Sequence, residues 1–230
     1  HDYDDVPDTT ETFTYTQLGN SPCVVQATHS VFSDATLLQT QSTEYDDVTG
    51  SPEFGRTLAT TETLYSAEDD GEYRSVMAFS TTLGASRLIQ QATFTGYDGL
   101  SSVTSRTSSA LSGLLYEETD ILGVTTTYAY DGYGRIVRRT LAAGSAYENT
   151  TSWAYRISGT PVTVQTGPTG VQETTYFDGA GRVVSRHMLD IDASQQDYEV
   201  YRARYNEAGE NLSETMQDGA TNNTADIRSS

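Results

Sequence analysis

The chain has 230 residues, a net charge of −19 and a pI of about 4.2, with 36% hydrophobic and 10% aromatic residues. Nucleic-acid binding through phosphate neutralisation needs basic patches, so this charge argues against it and fits a solubility surface or a cationic partner. The length suffices for one large or two small domains, but the apolar content is low for a tightly filled core. Tyr supplies 16 of the aromatics against 6 Phe and 1 Trp, and its hydroxyl wants a partner or water. Such a chain suits a thin sheet layer better than a thick globule. A single cysteine, Cys23, excludes an intrachain disulfide framework; beside Val24 and Val25 it is expected to be buried. No run approaches the roughly 20 apolar residues of a spanning helix. The chain opens on His1-Asp2-Tyr3 without Met or a signal peptide, which reads as a fragment or a processed product.

In chain order, residues 1–12 form an acidic, extended lead-in. Strands are expected at Thr12 to Tyr15, Cys23 to Val31, Thr57 to Tyr65 and Tyr73 to Phe79. Turn-forming clusters separate them at Gly19 to Pro22, Asp46 to Pro52 and Glu68 to Gly71. Leu83 to Gln91 has either a short helix or a strand as its reading, with strand preferred by context. The expected organisation is an irregular β segment over 1–92, a β meander over 93–217, and a polar tail over 218–230.

The strongest signal is a turn that recurs. Asp131-Gly132-Tyr133-Gly134-Arg135 follows Tyr128-Ala129-Tyr130, and Asp178-Gly179-Ala180-Gly181-Arg182 follows Tyr176-Phe177. A decayed third copy, Asn206-Glu207-Ala208-Gly209-Glu210, follows Tyr205. Asp or Asn at the first position accepts from backbone N–H groups further on, and Gly at the fourth takes positive φ without a Cβ clash. This is the chemistry of a type I turn continued into a left-handed residue, a common hairpin link. Gly123-Val124 recurs as Gly170-Val171 and Asp131 as Asp178, and both offsets are 47 residues (170 − 123, 178 − 131). A whole block is therefore duplicated in register. Further turns at 120–123, 143–145, 156–159 and 166–170 leave strands of roughly 7 to 8 residues. The fold class is all-β, built from antiparallel hairpins.

Tyr-x-Tyr-Asp-x-x-Gly-Arg followed by β-branched residues resembles the YD repeat of the Rhs family. Tyr128 to Val137 matches at every defining position; Tyr176 to Val184 matches with Phe177 beside the Asp; the third copy departs at Asn206 and Glu210. Tyr45-Asp46 and Tyr97-Asp98 are further degenerate candidates. The resemblance implies a curled β-strip forming part of a hollow shell, as in insecticidal toxin complexes and Rhs polymorphic toxins, where the shell encloses a cytotoxic C-terminal segment. It implies as partners that segment, the remaining shell and a delivery component, and a secreted location. Teneurins use a similar shell for adhesion. Asp190-Ile191-Asp192 is too isolated to stand for the family's self-cleaving Asp pair.

The candidate residues are therefore Tyr128, Tyr130, Asp131, Gly134, Arg135, Tyr176, Asp178, Gly181, Arg182, Tyr205, Asn206 and Gly209, all read as structural. Arg135 and Arg182 are expected to pair with an acid or carbonyl on a neighbouring strand. No catalytic, cofactor or metal residues are assigned. His29, beside Ser30, and His187 lack a nucleophile-elbow context, and Asp2 to Asp5 and Asp69-Asp70 lack calcium-loop spacing. The sequons at Asn149, Asn211 and Asn222 bear on function only in a eukaryotic source. The rival reading is an adhesion or carbohydrate-binding module in which Tyr128, Tyr130 and Arg135 form the stacking face.

Overall fold

A computed structural model describes residues 8–66, 68–189, 196–218 and 223–227. The chain divides into two compact units, His1–Thr125 and Thr126–Ser230. All regular structure in the described residues is β.

The first unit is an antiparallel meander of β1 (Thr9–Gln17), β2 (Val24–Ser33), β3 (Thr36–Tyr45), β4 (Thr57–Tyr65), β5 (Glu72–Leu83), β6 (Arg87–Thr95), β7 (Ser101–Ser109) and β8 (Leu115–Thr119), each paired with the next. Expected strand Thr57 to Tyr65 coincides with β4. Leu83 to Gln91 is two strands, the end of β5 and the start of β6, parted by a turn closed by Gly84 N donating to Arg87 O. β3 and β7 escape a pattern-based reading because they are rows of Ser, Thr and Gln with no apolar alternation. Their regularity comes from the ladder on both sides. The described part of residues 1–92 consists of regular antiparallel strands, and residue 92 falls inside β6. The lead-in expected over 1–12 already enters β1 at Thr9.

The second unit continues the same plan with β9 (Thr125–Tyr130), β10 (Ile136–Leu141), β11 (Asn149–Arg156), β12 (Val162–Thr166), β13 (Gln172–Phe177), β14 (Val183–Leu189), β15 (Asp197–Tyr205), β16 (Asn211–Asp218) and β17 (Asn223–Ile227). β17 lies where a polar tail was expected. Asp190-Ile191-Asp192, the Asp2 to Asp5 run and Asn222 lie outside the described residues.

Neither unit has a filled core. Among the described residues the buried apolar side chains are Leu18, Val162 and Ala203. Cys23 is exposed, not buried. It precedes β2 in the β1–β2 loop, and Val24 beside it is 62% exposed. Cross-strand pairs do the work that a core does elsewhere. Thr14 and Thr28 share a hydroxyl hydrogen bond of 2.6 Å, and Thr140 and Thr150 one of 3.0 Å. Phe13 stacks on His29 across β1 and β2, with ring centroids 4.6 Å apart.

The β2–β3 link is two residues, Asp34 and Ala35, at φ +46° and +69°. Two consecutive left-handed residues are what a two-residue hairpin of this twist demands, and Gly is the favoured occupant of the second place. Ala35 carries a Cβ there. Ala35→Gly is expected to stabilise the chain by about 0.5–1 kcal/mol, since relief of left-handed strain exceeds the added unfolded-state entropy; denaturant unfolding measures it, and the midpoint rises.

Candidate functional site

Six turns in the described residues close identically, beginning at Gly96, Asp120, Asp131, Gly167, Asp178 and Asn206. In each, the first residue's N–H donates to the fifth residue's carbonyl, and the fourth residue's N–H donates to the first residue's carbonyl. The fourth residue is always Gly, with φ between +76° at Gly99 and +88° at Gly209. The recurring motif is thus one backbone solution used throughout. At 96–100 it begins two residues before the Asp98 that the sequence reading took as its start.

A seventh site extends the pattern. Asp46 N donates to Arg56 O at 2.9 Å and Gly55 N to Asp46 O at 2.7 Å, the same two closures around a longer insertion. Gly55 has φ +82°. Tyr45-Asp46 and Gly55-Arg56 are therefore the two ends of one expanded repeat turn. Its insertion reaches the β1–β2 loop: a Cβ on Gly19 would meet Asp47 O at 2.8 Å, and one on Gly55 the buried Leu18 at 3.5 Å.

In the two best copies the carboxylate is fully used. Asp131 Oδ1 accepts from Tyr133 N at 2.9 Å and Arg135 N at 3.0 Å, while Oδ2 accepts from Arg135 Nε at 2.7 Å and Nη2 at 2.6 Å. Asp178 repeats this with Ala180 N, Arg182 N (both 2.9 Å) and Arg182 Nε (2.7 Å). Partial desolvation pushes the Asp131 carboxyl up, but the N–H groups of Arg135 and Tyr133 and the Arg135 guanidinium outweigh it and hold the group below its ordinary value. For Asp178 the Arg182 backbone N–H leads, and the net direction is the same. Arg135 and Arg182 thus pair inside their own turns, not with an acid on a neighbouring strand as expected. The carboxylate four residues back is fixed by the turn before any other strand arrives.

The link to the next strand is made by the opposite face of the same guanidinium. The β10–β11 register pairs Arg138 with Ser152, so three residues on Arg135 stands across from Tyr155. Its guanidinium carbon lies 4.4 Å from the Tyr155 ring centre, and the Tyr155 hydroxyl donates to Ile136 O at 2.8 Å. Arg182 does the same with Tyr205, at 4.6 Å, and the Tyr205 hydroxyl donates to Val183 O at 3.1 Å. Carboxylate, guanidinium and tyrosine form a clasp joining a hairpin to the strand after it. Arg186 and Tyr201, paired across β14 and β15, stack at 5.5 Å. Burial, then the hydrogen bond to Glu214, push the Tyr201 hydroxyl up to about 12.

The third copy keeps the geometry with donor and acceptor exchanged. Asn206 Oδ1 accepts from Glu210 N at 2.8 Å, and Asn206 Nδ2 donates to Glu210 Oε2 at 2.7 Å. Asn-for-Asp and Glu-for-Arg therefore compensate each other. Gly209 lies close to the second copy's cation, since a Cβ there would meet Arg182 Nη1 at 3.0 Å. Tyr176 meets His187 edge-on at 5.1 Å, and Tyr128 and Tyr130 are half-buried on β9. Tyr155 was missed because the motif is read upstream of its turn, whereas the partner lies across the following strand.

Among the described residues each imidazole has a carboxylate: His29 Nε2 lies 3.1 Å from Glu11 and His187 Nδ1 3.0 Å from Asp197. Shallow troughs of about 440 Å³ over Phe79, Gln90 and Arg106 and about 320 Å³ over Val162, Val164 and Tyr176 include neither ring. Among the described residues no cluster of three or more His, Cys, Asp or Glu could hold a metal ion, and no helix is long and apolar enough to cross a membrane.

Residues 112–146, from the β7–β8 link through β8, the Asp120 turn, β9, the Asp131 turn and β10 to the loop beyond, match the RHS Repeat family. The chain carries an RHS repeat. The second and third copies of the turn lie outside the matched span, yet repeat its two backbone closures. No curated protein matches the chain. Among solved structures it is similar to a chain of a crystal structure of TcdB2-TccC3-TEV, at 15% identity and a TM-score of 0.44, over 89% of this chain and 12% of that one. It is also similar to a chain of the Photorhabdus luminescens Tc holotoxin pore carrying a TccC3 mutation, at 9% identity and a TM-score of 0.21, over 96% and 19%. The chain thus spans less than a fifth of either.

Tyr155→Phe and Tyr205→Phe each remove one hydroxyl–carbonyl bond, and each is expected to destabilise by about 0.5–1.5 kcal/mol in denaturant unfolding. Because Asp131 and Asp178 titrate below the ordinary value of 3.8 when folded, their contribution is complete above that value and disappears as pH falls through the folded value. Asp131→Asn/Asp178→Asn should therefore be less stable than the parent at neutral pH, and the gap should close as unfolding is followed down to about pH 2.

Proposed function

We propose that this chain is a non-catalytic length of wall in a hollow β-shell that encloses a toxic C-terminal polypeptide and holds it until delivery by a toxin complex or a secretion system. The observation that carries this reading is the RHS repeat at 112–146 together with its clasps, which tie hairpin to hairpin along a sheet without a filled core. A sheet held edge to edge makes a barrier; a protein that binds one small ligand needs an enclosed, convergent pocket. Exposed strand edges invite pairing, so the wall is completed by further strands of the same polypeptide or of a partner. Secretion is the location that suits this role.

The carbohydrate-binding alternative needs Arg135 beside free tyrosine faces. Arg135 is already held by Asp131 and stacked on Tyr155, and its ring neighbour Tyr133 lies 5.2 Å away. That stacking face is occupied, which favours the wall.

Limited proteolysis of the longest natural polypeptide containing this chain tests the proposal. The segment C-terminal to the repeats should resist protease while the wall is folded. In a variant carrying Gly134→Val and Gly181→Val, which closes neither turn without strain, it should be cut at least about tenfold faster, as expected for a population shift of 1.4 kcal/mol or more. Equal cleavage rates in parent and variant, both fast, would remove the enclosure.

A further inference from the structure

All 13 cations of the chain are arginines; it contains no lysine. Charge is also unevenly shared. Residues 1–125 hold 19 Asp and Glu against 4 Arg, and residues 126–230 hold 13 against 9, accounting for the full 32 and 13. The first unit therefore carries −15 and the second −4. Leaving aside the two contacts to histidine, the first unit has one ion pair among the described residues, Glu53–Arg56, and the second has four. Six of the first unit's acids gather in links at one end of its strands: Asp34, then Glu68, Asp69 and Asp70, then Asp98, then Asp120, with Glu72 opening β5 beside the second link. No arginine stands in those links.

Like charges a few ångströms to a few tens of ångströms apart repel over a range set by salt, about 30 Å at 0.01 M but only about 3 Å at 1 M. Repulsion destabilises a compact state unless burial offsets it. In the first unit the buried apolar side chain among the described residues is Leu18 alone. The second unit depends on contacts that salt screens least. Arg135 and Arg182 are bound by short directional hydrogen bonds and stacked on tyrosine, chemistry that a lysine does not reproduce.

We propose that the chain is built for a medium of high ionic strength, with residues 1–125 acting as an ionic-strength-sensitive section that loosens on dilution while the clasped residues 126–230 hold. The inference rests on charge and burial alone and stands whether or not the chain encloses a cargo.

Two native reporters separate the units: Cys23, single and exposed, takes a dye in the first, and Trp153, the only tryptophan, reports on the second. Thermal unfolding of the full chain would be followed with both, in NaCl and KCl from about 0.02 M to about 1 M, where the screening length falls about sevenfold. The expected result is an upward shift of the Cys23 transition by about 5 °C or more, or its appearance only with salt, and in either case a larger response than that of the Trp153 transition. Guanidinium chloride up to about 0.3 M should also raise it, because screening precedes denaturation. Glu68→Gln/Asp70→Asn/Glu72→Gln should flatten the salt dependence. A Cys23 transition indifferent to NaCl, a rise confined to sulfate, or an unchanged slope in the variant would each overturn the proposal.

Discussion

The structure depends on one closure: a first-residue amide bonded to a fifth-residue carbonyl, with a left-handed glycine between them. Once that five-residue turn is set, the register of both flanking strands is fixed. A one-residue slip would move every side chain to the other face. The aspartate side chain does not create the turn so much as hold its amides, since the Gly167 turn closes the same way without a carboxylate, and in the Gly96 turn the carboxylate is moved to the third residue, where Asp98 accepts from Leu100 N. What the carboxylate adds is a fixed guanidinium. An arginine anchored at both Nε and Nη2 presents a flat face to the next strand, and the register places a tyrosine there. Turn chemistry four residues long is thereby converted into an inter-hairpin contact about twenty residues away in sequence.

This arrangement explains how so polar a sheet holds together with few buried side chains. Stabilisation is distributed along strands as backbone ladders, hydroxyl pairs and Arg–Tyr stacks, each local and each repeated. Such a chain tolerates decay of any single repeat, as the exchange of donor and acceptor between Asn206 and Glu210 shows. It also tolerates insertion, as in the 46–56 turn, because only the two closing bonds need be kept. This suits the proposed wall, which needs continuity over distance and no one precise constellation.

The turns were legible in the sequence because they obey a backbone constraint that few residues satisfy. Asp131, Gly134, Asp178, Gly181 and the decayed Asn206 and Gly209 are found by composition alone. The strands of the first unit were partly legible. β4 is Thr-rich, bounded by turn-forming clusters, and was found to the residue, whereas β3 and β7 are mostly Ser, Thr and Gln and depend on neighbours for their conformation. The expanded Asp46 turn was half-visible, since its Gly55-Arg56 end lies too far along for a fixed-spacing motif. The clasp role of the tyrosines was not legible: Tyr205 was named only as the residue before the third turn, and Tyr155 was not singled out. Tyr155 and Tyr205 meet their arginines through strand register, which is a property of the folded sheet. Cys23 was misjudged because adjacent valines signal burial only where a second layer covers the strand, and here the thin sheet leaves Val24 open.

The account's central claim is that these hairpins are a stretch of enclosing wall. A cryo-EM map of the longest natural polypeptide containing this chain measures that most directly. The account predicts a closed β-shell in which residues 8–218 form part of the wall, with additional density against one face of the β9–β10 hairpin. An open sheet with solvent on both faces of that hairpin, and nothing enclosed, would contradict it.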